Sequence, residues 1–362
     1  MIGKVFRMTA LLMWLGGLVP ATAAGEEEDA VVAGTAGRFW ERVEAGGLIE
    51  FGGGYRSFGA SNRASDIQLT TAELGLGVGL NRWIRADLTF LYENPAGCEP
   101  GGFGLDSAFV TFRDEERFPL WMSVGKLYVP FGALLTRFPD DPAVDQPMTL
   151  LLGETSEETV AAGWERSGLS VKGYLFGGEM RVAGNRAFPA FGVDVRYEAP
   201  AGEGVDVMAG ASYISNVADS DCLTETISDN VKALEKSVGG FALYGRIGFR
   251  GLFATGEFIT ALGSFRAGEL ARADGRGARP SAWNIEAGYR WERFLEIVLK
   301  VAGSGETEAI GLPRRRLGLG LNRDLGRNVT ASFALLGDRF HPGDVDGKDR
   351  GLAALGQVAV RF

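Results

Sequence analysis

The 362-residue sequence is poor in histidine, cysteine and basic charge: one His, two Cys, and 37 Lys and Arg against 46 Asp and Glu. Each scarcity closes a class of function. With His341 as the only imidazole, a Ser/His/Asp triad has one candidate base, and no nucleophile motif accompanies it; the residue reads as a solvated loop histidine, and no catalytic residue is expected. Cys98 and Cys222 belong to no CxxC or Cys/His cluster, so neither a bound metal nor a cofactor is expected. A formal net charge of -9 makes nucleic acid a poor partner. Beyond residue 24 no apolar run approaches the roughly 20 residues that a spanning helix needs, which excludes a helical membrane protein.

What the chain has is glycine, 54 residues of it, and 46% hydrophobic residues. That is too apolar for disorder, and no Gly-X-Y period points to collagen. Residues 1–24 combine a basic start at Lys4 and Arg7, an apolar centre from Met8 to Val19 and a small-residue end at Ala21-Thr22-Ala23-Ala24, the pattern of a signal for export. Residues 25–45, opening with GEEEDA, read as a short acidic periplasmic leader. Export permits a disulfide, and whether Cys98 and Cys222 form one is left open by the sequence.

From residue 46 onward the signal is alternation with a period of two, which a soluble helix cannot keep. Ile84, Ala86, Leu88, Phe90 and Tyr92 share one face, and Arg85, Asp87, Thr89 and Glu93 the other. Phe191, Val193, Val195 and Tyr197 oppose Asp194, Arg196 and Glu198 in the same way. About ten such residues followed by turn residues is the signature of a strand that crosses an outer membrane. The pattern predicts strands near 46–57, 65–80, 82–93, 103–113, 119–130, 158–165, 168–176, 189–198, 204–214, 238–250, 252–263, 281–291, 293–303, 314–323, 328–338 and 351–362. Links between them are alternately short and long, as expected of periplasmic turns and extracellular loops, so both ends of the chain fall on the periplasmic side. The fold class is therefore all-β: a transmembrane antiparallel β-barrel of roughly sixteen strands over 46–362, porin-like, in a bacterial outer membrane. With so little chain before the first strand, no plug domain is expected.

Trp83, Trp121, Trp164 and Trp291 beside short turns, and Tyr92, Tyr128 and Tyr213 beside long loops, predict two aromatic girdles against outer-membrane lipid. Arg85, Arg196, Arg246, Arg290 and Lys300 fall on polar faces with Asp87, Asp194, Glu257 and Glu286. Facing lipid, each cation would cost about 2–4 kcal/mol at the bilayer midplane, so all should face the lumen. There they form either a wet wall of mutual ion pairs or a charged path for an ionic solute.

One connection stands apart. Residues 131–157 join the fifth and sixth strands, far longer than ordinary links, and such loops tend to be functional. This one is acidic at Asp140, Asp141, Asp145 and Glu154 and apolar at Phe131–Leu135 and Met148–Leu152. Folded inward, it would narrow the pore and set acids against the basic wall. Those two charge sets define a candidate constriction and solute-binding site: Asp140, Asp141, Asp145, Glu154, Arg85, Arg196, Arg246, Glu257, Arg290 and Lys300.

GKLYVPFG at 125–132, Thr136, Asp141-Pro142 and MTLLLGET at 148–155 resemble the pattern of the LbtU-type siderophore porin family. GLIEFGGGY (47–55), GEFITALGSF (256–265), PSAWNIEAGY (280–289) and QVAVRF (357–362) extend the resemblance over most of the chain. Here AVDQP separates Asp-Pro from the next motif, a departure from that family. The resemblance implies TonB-independent passage of ferric siderophores, and the terminal Phe362 is similar to the signal read by barrel-assembly machinery. The residues alone support equally a general or ion-selective diffusion porin for small hydrophilic solutes, and far less an outer-membrane enzyme.

Overall fold

The computed structural model describes residues 43–58, 62–94, 101–114, 117–133, 145–183, 190–199, 204–291, 295–341 and 349–362. The predicted signal and most of the leader lie outside them. Sixteen strands follow in order: β1 (Val43–Phe58), β2 (Asn62–Asn81), β3 (Ile84–Glu93), β4 (Gly102–Arg113), β5 (Leu120–Tyr128), β6 (Ser156–Arg166), β7 (Leu169–Phe176), β8 (Ala190–Glu198), β9 (Val205–Ile214), β10 (Gly240–Phe249), β11 (Leu252–Ala261), β12 (Ser281–Trp291), β13 (Leu295–Gly305), β14 (Arg315–Asp324), β15 (Val329–Arg339) and β16 (Arg350–Arg361). Each pairs antiparallel with its sequence neighbours, and β1 pairs with β16 to close the ring. All sixteen expected strands are present. The first begins at Val43, three residues before the expected start, because Val43, Glu44 and Ala45 already pair with Val78, Gly77 and Leu76 of β2.

Period-two alternation becomes two chemically different walls. Outward residues such as Phe191, Val193 and Val195 of β8, Leu243 and Ile247 of β10 and Leu317 of β14 are exposed around the circumference. A surface this apolar is incompatible with water and suits lipid. Tight hairpins set the register at one end: Ser167-Gly168 and Arg250-Gly251 hold φ of 51° and 84°, and 48° and 90°. Both residues of each turn are left-handed, the geometry whose twist matches paired strands.

On the inner wall, aromatic rings lie across glycines of the adjacent strand. A Cβ on Gly192 would sit 2.2 Å from the Tyr174 ring, one on Gly210 2.3 Å from Tyr244, and one on Gly163 2.5 Å from Trp121. Glycine here creates the recess that the neighbouring ring fills. This corrects the expected girdle. Trp121 lies between exposed Leu120 and Met122, so its own side chain points inward, where Nε1 donates to Glu165 at 3.1 Å. Tyr128 also turns from lipid and donates its hydroxyl to Asp106 at 2.6 Å. Trp83 and Trp291 remain on the exposed face.

The topology predicts that cysteines placed at Asp229 and Gly275, both exposed between strands at the long-loop end, react with an impermeant maleimide on intact cells, whereas one at Arg327 reacts only after lysis. The opposite pattern would invert the barrel.

Candidate functional site: the lumen and its crossing loop

The connection between β5 and β6 enters the barrel. Its two limbs are first tied together, Val129 N–H donating to Thr155 O at 3.0 Å, and then spread over the far wall. Gly132 N–H donates to Ser212 Oγ of β9 at 2.7 Å, and Ala133 N–H to Glu257 of β11 at 2.5 Å. Gly132 has a φ of 84°, and a Cβ there would lie 2.5 Å from Glu257 Oε1, so the glycine of the PFG motif is required twice over. Phe131, Met148 and Leu152 are almost wholly buried, and a short helix, α1 (Leu150–Gly153), brings Gly153 against Ile259 of β11. At the other limb Asp145 meets Lys300 Nζ of β13 and Arg316 Nη1 of β14, each at 2.8 Å.

These contacts draw on one polar tier. Cross-strand pairing runs Arg196–Gly210, Gly210–Tyr244, Tyr244–Glu257, Glu257–Asn284, Asn284–Ala302, Ala302–Arg316 and Arg316–Asp338, from β8 to β15. Lys300 also reaches Glu286 at 3.1 Å, and Arg316 forks onto Asp338 with two bonds of 2.8 Å. Lys300 and Glu286 have side chains with no exposure. Buried ions of this kind are tolerable only with opposite charges in contact, and Asp145 adds a loop carboxylate to the two that the wall supplies, Glu286 and Asp338.

The predicted site residues separate into groups. Asp145, Glu257 and Lys300 are brought together by the crossing loop. Arg316, Asp338 and Glu286 belong beside them, although the sequence reading singled out neither Arg316 nor Asp338. Strand parity could have found Arg316, since Gly318, Gly320 and Asn322 continue its face. Arg85, Arg246 and Arg290 do not pair with Asp145. They sit at the short-turn ends of their strands, where Arg85 pairs with Asp87 and Glu44 at 2.8 Å, Arg246 with Asp206 at 3.0 Å and Arg290 with Glu296 at 2.6 Å. Arg113 with Glu165, at 2.9 Å, extends this ring of neutralised charge. Each of these cations is paired with an acid on the wall beside it. Glu154 lies where the loop returns to β6, and its backbone carbonyl accepts Asp221 N–H at 2.9 Å. Asp140 and Asp141 lie outside the described residues.

Above the tier the long connections share one apolar cluster. Met180 from the β7–β8 link, Leu223, Ile227 and Leu234 from β9–β10, and Phe265 and Leu270 from β11–β12 pack with Phe131 and Met148. Polar ties lace the same segments. Glu235 N–H donates to Glu269, and Arg279 N–H to Glu306, at 2.8 and 2.7 Å. Helix α2 (Asp221–Ser228) carries Cys222, which is buried and disulfide-bonded. Cys98, the chain's other cysteine, lies outside the described residues. His341 is not solvated as expected. It is 9% exposed, with Nε2 3.4 Å from Ser304 Oγ and Nδ1 3.9 Å from Glu308. The trio does not form a charge relay, because the Ser304 hydroxyl donates to Pro313 O at 2.9 Å rather than toward the imidazole.

Asp219 fastens two of these connections, accepting from Met180 N–H at 2.8 Å and Asn216 Nδ2 at 2.9 Å. Burial, and more weakly the Glu179 charge, push its carboxyl up to about 6 from the usual 3.8.

No family model matches the chain. It is 28% identical over 301 residues to the UPF0422 protein of Coxiella burnetii, covering 81% of this chain and 63% of that protein. It is 27% identical over 284 residues to the UPF0422 protein lpl2888 of Legionella pneumophila, covering 72% and 52%. The chain thus spans between about half and just under two thirds of the length of these relatives. Among solved structures it superposes on the anion-selective porin from Comamonas acidovorans with a TM-score of 0.63 and 13% identity, covering 88% of this chain and 99% of that one. Salmonella typhi OmpF in complex with daunomycin gives 0.61 and 10%, covering 88% and 97%. Pseudomonas putida OprB gives 0.61 and 10%, covering 89% and 94%. The fold is that of the bacterial outer-membrane porins. Sixteen strands, a lipid-facing belt and a polar bore place the porin-like chain in the outer membrane.

Two outcomes are expected. Because the folded-state pKa of Asp219 is raised, its protonated form stabilises the loop junction; the contribution is complete below about pH 4 and lost as pH rises through 6. Protease resistance of the loops should therefore increase from pH 7 to pH 5, and Asp219→Asn should flatten that dependence. A thiol assay on denatured, unreduced protein should find no free thiol; two thiols would exclude the Cys222 bridge.

Proposed function

We propose that this barrel is a passive channel for small hydrophilic solutes, narrowed at mid-height by the β5–β6 connection. The observation that carries the reading is the position of Asp145. It is held to β13 and β14, about half the ring away from β5, so the connection crosses the bore. A polar wall, paired charges and a crossing segment together sort solutes by size and charge. The reading assigns no catalytic step to the protein.

A narrower reading, TonB-independent passage of ferric siderophores, is favoured by the motif resemblance at 125–132 and 148–155. Those are the residues whose backbone ties, buried apolar side chains and glycine contacts seat the loop, so a likeness there is a likeness in how the bore is shaped. Asp140, Asp141, Asp145, Glu154, Glu257 and Lys300 are the residues proposed to meet or shape the path of the solute. Outer-membrane lipid and barrel-assembly machinery are the further partners this reading entails, the latter through Phe362.

Purified protein in planar bilayers should conduct. Asp145→Asn should change single-channel conductance and ion selectivity, because Arg316 and Lys300 lose their shared anchor; an unchanged channel would remove the loop from the constriction. Block of the current by a ferric siderophore, with no block by sugars or phosphate, supports the narrower reading. Equal insensitivity to all three leaves general diffusion.

A further inference from the structure

Among the described residues most cations of the lumen wall are committed, and Arg196 is informative because it is not. Arg85, Arg113, Arg246, Arg290, Lys300 and Arg316 each hold a carboxylate at 3.1 Å or less. Arg196, partly exposed on the inward face of β8, has no carboxylate within 4 Å and no hydrogen bond among the described residues. Acids stand nearby on its own face, but all are engaged. Asp194, two residues before it, accepts the Tyr244 hydroxyl at 2.5 Å and lies in the fields of both Lys172 and Arg196 without an ion pair to the latter. Glu198, two residues after it, is 3.9 Å from Arg246, and Glu257 receives Ala133 N–H from the crossing loop. The cross-strand partners of Arg196 are Ser170 and Gly210, which carry no charge. A guanidinium left with open donors in a partly desolvated bore is a site for an anion, and its planar fork suits a carboxylate or phosphate bidentately.

We infer that Arg196 is an anion contact of the channel, a residue against which a carboxylate- or phosphate-bearing solute passes. Its place supports this. Arg196 stands two residues from the short-turn end of β8, and its cross-strand row leads through Gly210 and Tyr244 to Glu257, where the loop docks. Tyr244, filling the recess at Gly210, donates its hydroxyl to Asp194, which forms no ion pair with the guanidinium.

The inference rests on the channel reading, and one experiment separates the two. Reversal potentials in a KCl gradient, and block of the current by citrate, are measured in planar bilayers for the wild type, Arg196→Gln and Arg196→Lys. Each variant is first shown to be folded by heat-modifiable electrophoretic mobility. Arg196→Gln should shift permeability from chloride toward potassium by about threefold and weaken citrate block by about three- to tenfold, the scale of one unpaired charge in a partly hydrated pore. Arg196→Lys should retain the reversal potential while losing much of the citrate block, because the charge stays and the fork does not. Folded Arg196→Gln protein with unchanged selectivity and block would overturn the inference, as would a Lys variant that matches Gln in both. A wild type that does not conduct would overturn the channel reading instead.

Discussion

The structure depends on satisfying backbone hydrogen bonds where no water reaches. In hydrocarbon an unpaired strand edge leaves a row of N–H and C=O groups without partners, each costing several kcal/mol, so a sheet that crosses a membrane must close. Here closure is the pairing of β1 with β16, from Leu48–Arg361 to Phe58–Gly351. Once the ring is closed, the strict alternation of side chains assigns half of them to lipid and half to the bore. Glycines such as Gly192 and Gly210 then let the inward rings of Tyr174 and Tyr244 lie flat against the wall instead of obstructing it.

The enclosed wall creates the second constraint. Its charges sit behind a low-dielectric shell, and each needs an opposite charge or water. The chain meets this at two heights. At the short-turn ends arginines pair with neighbouring acids, and the solvent-exposed bridges among them, such as Arg85 with Glu44, contribute little energy. At mid-height, Lys300 and Glu286 have no solvent at all, and Asp145 is brought across from a distant part of the sequence to complete the set. The same contact that relieves buried charge therefore shapes the passage.

The long connections are not independent flaps. Their apolar side chains form one cluster, and polar contacts through Asp219, Glu269, Glu306 and His341 link each connection to the next from β7–β8 round to β15–β16. A perturbation in one is transmitted to the crossing loop, because Phe131 and Met148 belong to the same cluster.

The strands, their number and the facing of most residues were determined by the sequence alone, since alternation is local and membrane closure leaves few other ways to use it. Residue pairs within reach of one strand register, such as Arg290 with Glu296, could have been inferred from parity. Trp121 could not, because an indole with its polar N–H suits either a lipid interface or a lumen, and only the exposed neighbours Leu120 and Met122 settle the facing. Arg316 was obscured by Arg314 and Arg315, which place charge on both faces of the strand. What only tertiary structure decided is which acid meets which cation. Asp145 and Lys300 are 155 residues apart in sequence, and Asp145 and Arg316 are 171 apart, and the loop that carries Asp145 leaves β5 across the ring from β13 and β14. No spacing rule links them, because their contact follows from the path of an irregular loop through the closed space that the strands create.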